Sequence, residues 1–332
     1  MKKETLTTIA QRTGLSTTTV SRVLNGYAHK YRISEKTCNI VRQEAQKCHY
    51  LPGNYSHVLR DGKSKMIGLL LPSISNPFFA EIAGNVITEM DKSAYTTIIM
   101  DTRENAEVLS DCARSLIARQ VEGLIIAPCG NDPTDIELMD KKLPVVLIDR
   151  YFKETGLSYV TTNNYQAALN ATRKIIAKGH RKIACIQGVV SSMPNSQRVK
   201  GYLDAMAEAG LQDNCHVVGE EFSVKNGYIE TKMLLNQDKG FTAIFALSGT
   251  IMLGTVKAIH EAGLKIPDNI AVLCFDDNIH MDFLTPSITR MAQPVADMAA
   301  LACKIMMEKL NGDKQLKSQI ELTATYVQGE SL

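Results

Sequence analysis

TLTTIAQRTGLSTTTVSRVLN, from Thr5 to Asn25, decides how the head of this chain folds. Thr5 is placed to cap a helix, and Leu6, Ile9 and Ala10 follow at the spacing of one buried helical face. Gly14 stands where that helix should stop, because glycine enters the left-handed region without steric cost. Ser16 then caps a second helix, whose apolar stripe is Val20, Val23 and Leu24. Thr17, Thr18, Ser21 and Arg22 are left facing outward. Two short helices joined by a tight turn, with polar groups outside the second, form a layout that reads base edges in a major groove. Periodicity alone also allows a helical hairpin that only packs on a neighbour.

The charge distribution favours the first reading. Residues 1–65 hold 12 Lys or Arg against four acids, or +8, whereas the whole 332-residue chain carries only +2. A basic head on an acidic body suits phosphate binding, since sequence-independent DNA affinity comes from counterion release. The length predicts two or three compact units, and 45% hydrophobic with 22% charged residues is ordinary for a protein with real cores. No run of apolar residues is long enough for a membrane span, and no apolar leader pattern opens the chain. Eight cysteines lie singly, and the pairs Cys48-His49 and Cys215-His216 lack metal-ligand spacing. The expectation is a cytoplasmic protein with reduced thiols, no metal and no cofactor.

After Asn25 a connection, GYAHKYRI, leads to Ser34, the cap of a third helix whose Ile40, Val41, Ala45 and Cys48 are expected to close a three-helix core. From Lys65 the pattern becomes strand-then-helix. Apolar runs begin near 66, 96, 122 and 145, and a second series near 182, 242 and 270, with amphipathic helices between. Such alternation predicts an α/β body of parallel sheets covered on both faces, and two series predict two lobes with a cleft between them. Ligands of such sheets sit at the carboxyl ends of the strands. No G-x-G-x-x-G, G-x-x-x-x-G-K-[ST] or G-x-S-x-G follows a strand, so neither a nucleotide cofactor nor a hydrolase is indicated, and the chain reads as no enzyme.

GLSTTTVSRVLN, Gly14 to Asn25, resembles the recognition unit of the LacI/GalR family of bacterial transcriptional regulators. YLPGNYSHVLRDGKS, Tyr50 to Ser64, resembles that family's hinge, with Gly53 and Ser56 departing from the usual Asn and Ala. The body resembles its effector domain, built like a periplasmic sugar-binding protein, through SISNPFF (73–79), VEGLIIAP (121–128), PVVLIDR (144–150), KGHRKIA (178–184), RVKGY (198–202), LKIPDNIAVLCFDD (264–277) and PSITRMAQP (286–294). The resemblance implies a helix-turn-helix domain over 1–50, a hinge over 51–64 and an effector-binding, dimerising domain over 65–332. Within the last, one lobe takes about 65–163 and 291–322, the other about 164–290 and 323–332.

It further implies that Thr17, Thr18 and Arg22 read bases, with arginine suited to guanine. Ser16, Thr19, Ser21 and Asn25 position or cap the recognition helix, Thr5 and Tyr50 complete the DNA-facing set, and Leu59 acts as a minor-groove wedge. The connection after Asn25 is a little longer and more basic than the resemblance leads one to expect; it reads first as a solvated loop, with Tyr27, His29, Lys30, Tyr31 and Arg32 as candidates for backbone contacts. For the effector it implies Ser75, Asn76, Phe78, Asp149, Arg150, Arg198, Phe222, Ser248, Asp276 and Gln293. Ser248-Gly249 replaces a pair that ends in an acid in the family, and Cys274 replaces a glycine, so no relative's ligand carries over directly. Acids, arginines and an aromatic platform favour a hydroxyl-rich ligand, a sugar or sugar derivative. No heptad stretch follows Gln328, so a homodimer on a near-palindromic double-stranded DNA operator is expected. The alternative is a periplasmic-type sugar-binding protein without a transcriptional role.

Overall fold

A computed structural model describes residues 5–48, 50, 63–237, 240–313 and 316–332. The chain separates into two compact units, Met1–Ser64 and Lys65–Leu332. Leu59, Gly53 and Ser56 lie outside the described residues.

In the first unit, α1 (Leu6–Thr13), α2 (Thr17–Leu24) and α3 (Glu35–Lys47) pack around Ile9, Ala10, Val20, Val23, Cys38, Val41 and Ala45. Thr5 Oγ1 accepts from the Thr8 amide at 3.3 Å, and the Thr5 amide in turn donates to Thr8 Oγ1 at 3.4 Å. Gly14 ends α1 at φ 68°, a region L side chains enter only with strain. Ser16 and Ser34 cap α2 and α3 through the amides of Thr19 and Thr37. Two expectations need correcting. Ile40 is 44% exposed and Cys48 is half-buried outside the core cluster, which Cys38 joins instead. Cys38, Val41 and Ala45 stand at intervals of three and four, whereas Ile40 is turned about 100° away from Val41.

The second unit holds two six-stranded sheets. The first contains β1 (Met66–Leu71), β2 (Thr96–Asp101), β3 (Gly123–Ile126), β4 (Val145–Ile148), β5 (Ser158–Thr162) and β11 (Gln319–Leu322). The second contains β6 (Ile183–Ile186), β7 (His216–Val218), β8 (Ala243–Ala246), β9 (Ala271–Phe275), β10 (Thr289–Ala292) and β12 (Thr325–Val327). Their orders are β11-β5-β4-β3-β1-β2 and β12-β10-β9-β8-β6-β7. Every pairing is parallel except that of β10 with β12.

Side chains alternate across a strand, so β1 serves two cores at once. Leu69 and Leu71 pack with Ile82 and Val86 of α4 (Pro77–Asp91) and with Met298 and Met306 of α11 (Val295–Leu310). Leu70 packs on the other face with Leu109 and Leu116 of α5 (Ala106–Ala118). Next to α6 (Thr134–Asp140) the first sheet's helices are complete, while α7 (Asn164–Ala177), α8 (Met193–Glu208), α9 (Val224–Asn236) and α10 (Gly249–Glu261) belong to the second sheet. The chain passes from one sheet to the other after β5, back after β10, and across again after β11. Among the described residues no helix is long and apolar enough to cross a membrane.

Candidate functional site

In the second unit the loops leaving the carboxyl ends of the strands meet around one cavity with about 290 Å³ of empty space, its mouth included. One lobe supplies Asn76, Phe78, Phe79, Asp149 and Arg150; the other supplies Ser192, Pro194, Arg198, Phe222, Ser248 and Asp276, with Gln293 on the strand-to-helix passage between sheets. Nine of the ten expected effector residues are thus brought together. Ser75 is not among them: it is exposed, and its hydroxyl bonds Ser73 at 2.9 Å.

Arg198 is 3% exposed and committed on several sides. Its Nε donates to Asn164 Oδ1 at 2.8 Å and its NH1 to the Leu247 carbonyl at 2.7 Å. Asp276 Oδ1 lies 3.9 Å from the same nitrogen, and the Phe275 ring lies beneath the guanidinium, 3.7 Å from Cζ to centroid. Burial pulls this guanidinium below its ordinary pKa, and the charge of Asp276 opposes that pull. Asp276 accepts from Gln293 Nε2 at 2.6 Å and from the Gly249 amide at 3.2 Å. A Cβ at Gly249 would come within 2.8 Å of Asn278 Nδ2 and 2.9 Å of Met281 Cε, so the space a family acid would use is filled here.

Arg150 is equally engaged, forking onto both carboxylate oxygens of Glu104, one of them at 3.0 Å, and reaching the Pro128 carbonyl at 3.3 Å. Asp149 beside it is 3% exposed. Burial is the main cause that raises its carboxyl from 3.8 to about 6, against the pull of Arg150 and Arg198. Both aspartates follow their strands in the left-handed region, at φ 66° for Asp149 and 76° for Asp276. Phe222 lies flat against Gly188, where any Cβ would stand 2.2 to 2.5 Å from its ring atoms.

Among the described residues, four buried polar atoms of the lining side chains have no hydrogen-bond partner: Asp149 Oδ1, Arg150 Nε, Ser192 Oγ and Gln293 Oε1, although Arg150 Nε stands 3.7 Å from the other oxygen of Asp149. Buried polar groups are ordinarily paired, and an unpaired one costs about 1–3 kcal/mol. Two acceptors, one cationic donor and one hydroxyl belong to residues that line this cavity, a set suited to a ligand that both gives and takes hydrogen bonds. Phe79, Ser192 and Pro194 were missed in the sequence, as were the supporting Glu104 and Asn164. Ser192 and Pro194 had a readable signal, a proline opening a helix just after a strand. Glu104 and Asn164 had none, lying 46 and 34 residues from the arginines they hold.

In the first unit the expected DNA-facing residues divide in two. Thr5, Ser16 and Thr19 are occupied in capping, with Ser16 Oγ 2.8 Å from Thr19 Oγ1, and Asn25 Nδ2 donates to Ser21 Oγ at 3.1 Å. Thr17 and Thr18 are exposed on the first turn of α2. Arg22 is half-buried, its Cζ 3.8 Å from the ring centroid of Tyr31. Tyr50 rests partly buried against the three-helix core, its amide on the Ala45 carbonyl at 2.9 Å.

Residues 64–317 match the family described as periplasmic binding proteins and sugar binding domain of LacI family. The ribose operon repressor of Haemophilus influenzae is 32% identical over 332 residues, covering 99% of this chain and 98% of that protein. The HTH-type transcriptional repressor PurR of Pasteurella multocida is 30% identical over 323 residues, 96% of this chain and 95% of its own. A crystal structure of the lac repressor dimer bound to operator and the anti-inducer ONPF has the same fold, with a TM-score of 0.86 at 23% identity over 99% of each chain. With residues 5–53 matching the bacterial regulatory proteins of the lacI family as well, the chain belongs to that family.

Proposed function

We propose that this protein is a repressor that binds a near-palindromic operator as a homodimer and is controlled by a small, hydroxyl-rich effector held between its two lobes. It works in the cytoplasm, at the nucleoid. Thr17, Thr18 and Arg22 read bases while the capped start of α2 rests on phosphate. Residues 1–50 form the reader, 51–64 the hinge with Leu59 as its wedge, and 65–332 the sensor. The observation that carries the effector reading is the set of four buried polar atoms without a hydrogen-bond partner on residues that line one cavity. Ligand binding across the cleft fixes the lobes relative to each other, and by linkage an effector that weakens operator binding is itself bound less tightly by the operator complex.

The charge balance narrows the effector to uncharged sugars. Both buried arginines are held by protein acceptors, and Asp149, Asp276 and Glu104 outnumber them. A phosphate would meet only the one open Nε–H of Arg150 among three neighbouring acids, whereas a neutral monosaccharide supplies donors for Asp149 and Gln293 and an acceptor for Arg150. The test pairs operator selection from a random duplex library with a thermal-shift panel of neutral monosaccharides and their phosphates. Neutral sugars should raise the melting temperature and alter operator affinity, and their phosphates should do less. Stabilisation by phosphorylated ligands alone would overturn the charge argument, and failure to retain DNA at low salt would overturn the whole reading.

A pH dependence follows from Asp149. With its carboxyl raised in the fold, the protonated form favours the folded state; that contribution is full below about 4 and is lost as pH rises through about 6. A sugar hydroxyl that donates to this carboxyl needs it ionised, so effector affinity moves the opposite way. It should rise about tenfold from pH 5 to 7 and then level off. Calorimetric titration at pH 5, 6, 7 and 8 reads this directly, and Asp149→Asn should flatten the profile.

A further inference from the structure

The connection between α2 and α3, GYAHKYRI from Gly26 to Ile33, carries a lysine, an arginine, a histidine and two tyrosines. It is a folded turn. The Tyr27 amide donates to the Arg22 carbonyl at 2.8 Å, the Tyr31 amide to Tyr27 at 3.2 Å and the Ile33 amide to Ala28 at 2.9 Å. Ala28 and Ile33 rest on the three-helix core, which pins the turn at two points. Arg32, at φ 51°, swings the chain back toward Ile33. The stretch so fixed holds the Tyr31 ring, 41% exposed, 3.8 Å from the guanidinium carbon of Arg22.

A guanidinium stacked on a ring uses its π face and leaves N–H edges free in its own plane. That edge is what pairs with O6 and N7 of guanine. A long side chain normally loses rotamer freedom on docking, and one already stacked loses less. We propose that Tyr31 is a positioning residue that presets Arg22 for guanine, a determinant of operator affinity contributed by the connection between α2 and α3. The inference rests on Arg22 being a base reader. It differs in kind from any role of Lys30 or Arg32, whose charges act on every DNA sequence and through the salt dependence. Tyr31, uncharged, acts on one base pair per half-site.

Full-length wild type, Tyr31→Ala, Tyr31→Phe, Arg22→Ala and the double variant are titrated by fluorescence anisotropy against the selected operator. A second duplex has the Arg22-dependent guanine replaced in both half-sites. Tyr31→Ala should weaken the operator about five- to thirtyfold over two half-sites, with non-specific affinity and salt slope unchanged. Tyr31→Phe should restore binding, and the Tyr31→Ala loss should vanish both in the Arg22→Ala background and on the second duplex. An unchanged operator affinity, or an equal loss without Arg22, would overturn the proposal. So would a loss that is the same on both duplexes and tracks a lowered melting temperature. If Arg22→Ala itself leaves operator affinity intact, the base-reading assignment fails first and the role of Tyr31 falls with it.

Discussion

Arg22→Ala is expected to erase operator selectivity while leaving the protein folded and still DNA-binding at low salt. A bidentate arginine–guanine pair is worth about 1–3 kcal/mol, and a two-fold operator contains two of them, so specific affinity should fall roughly thirty- to twenty-thousandfold. Non-specific binding loses only one cation per subunit, a small change in the salt slope. Folding should survive because the core of the head is built from Ile9, Val20, Val23 and Val41, and the caps at Thr5, Ser16 and Ser34 do not involve Arg22. Competition between the selected operator and scrambled duplex, read by anisotropy at two salt concentrations, separates the two affinities. Selectivity that survives the substitution would remove Arg22 from the reading surface.

The second large effect is expected at Arg198. Its removal strands Asn164 Oδ1 and the Leu247 carbonyl and leaves Asp276 without its neighbouring cation. Truncating one member of such a buried, hydrogen-bonded charge set costs about 2–5 kcal/mol, so Arg198→Ala should weaken the effector by roughly thirty- to several-thousandfold. Asn164 lies at the passage from β5 to α7, so Arg198 also ties the ligand wall to a strand that joins the lobes. Operator affinity without effector should therefore persist while its response to effector disappears. Arg198→Lys keeps the charge and loses the planar fork, and serves as the variant that tests geometry in a folded protein. An unshifted effector midpoint in both variants would take Arg198 out of the site.

Much of this was readable in the sequence, and what escaped did so for physical reasons. The helix-turn-helix was legible because its signals are local: a hydroxyl cap, a stripe at helical spacing, a glycine at a forced corner. The central strands were legible because buried parallel strands are apolar throughout. Strands β5, β7, β10, β11 and β12 were not, since SYVTT, HVV, TRMA, QIEL and TYV are short or polar and draw their stability from neighbours distant in sequence. Ile40 was misplaced because four apolar residues compete for one face of α3 and spacing alone does not rank them. The cavity wall followed from the rule that strand ends carry ligands, but the rule overreached at Ser75, one residue short of the cap at Asn76. Glu104 and Asn164, the acceptors that hold the two arginines, became visible only once the chain was folded.

The matching order of the two sheets puts β4 and β9 at equivalent places, and each ends in an aspartate whose backbone turns with positive φ. On the proposed reading of the cavity, ligand preference is tunable from these two equivalent corners with a restricted alphabet. Asparagine and glycine fit such a corner, whereas branched or bulky residues meet a steric penalty before their chemistry is tried. Efforts to retarget the sensor should exchange amide for acid at these two points and seek diversity on Phe222 and Ser192, whose backbones impose no such limit.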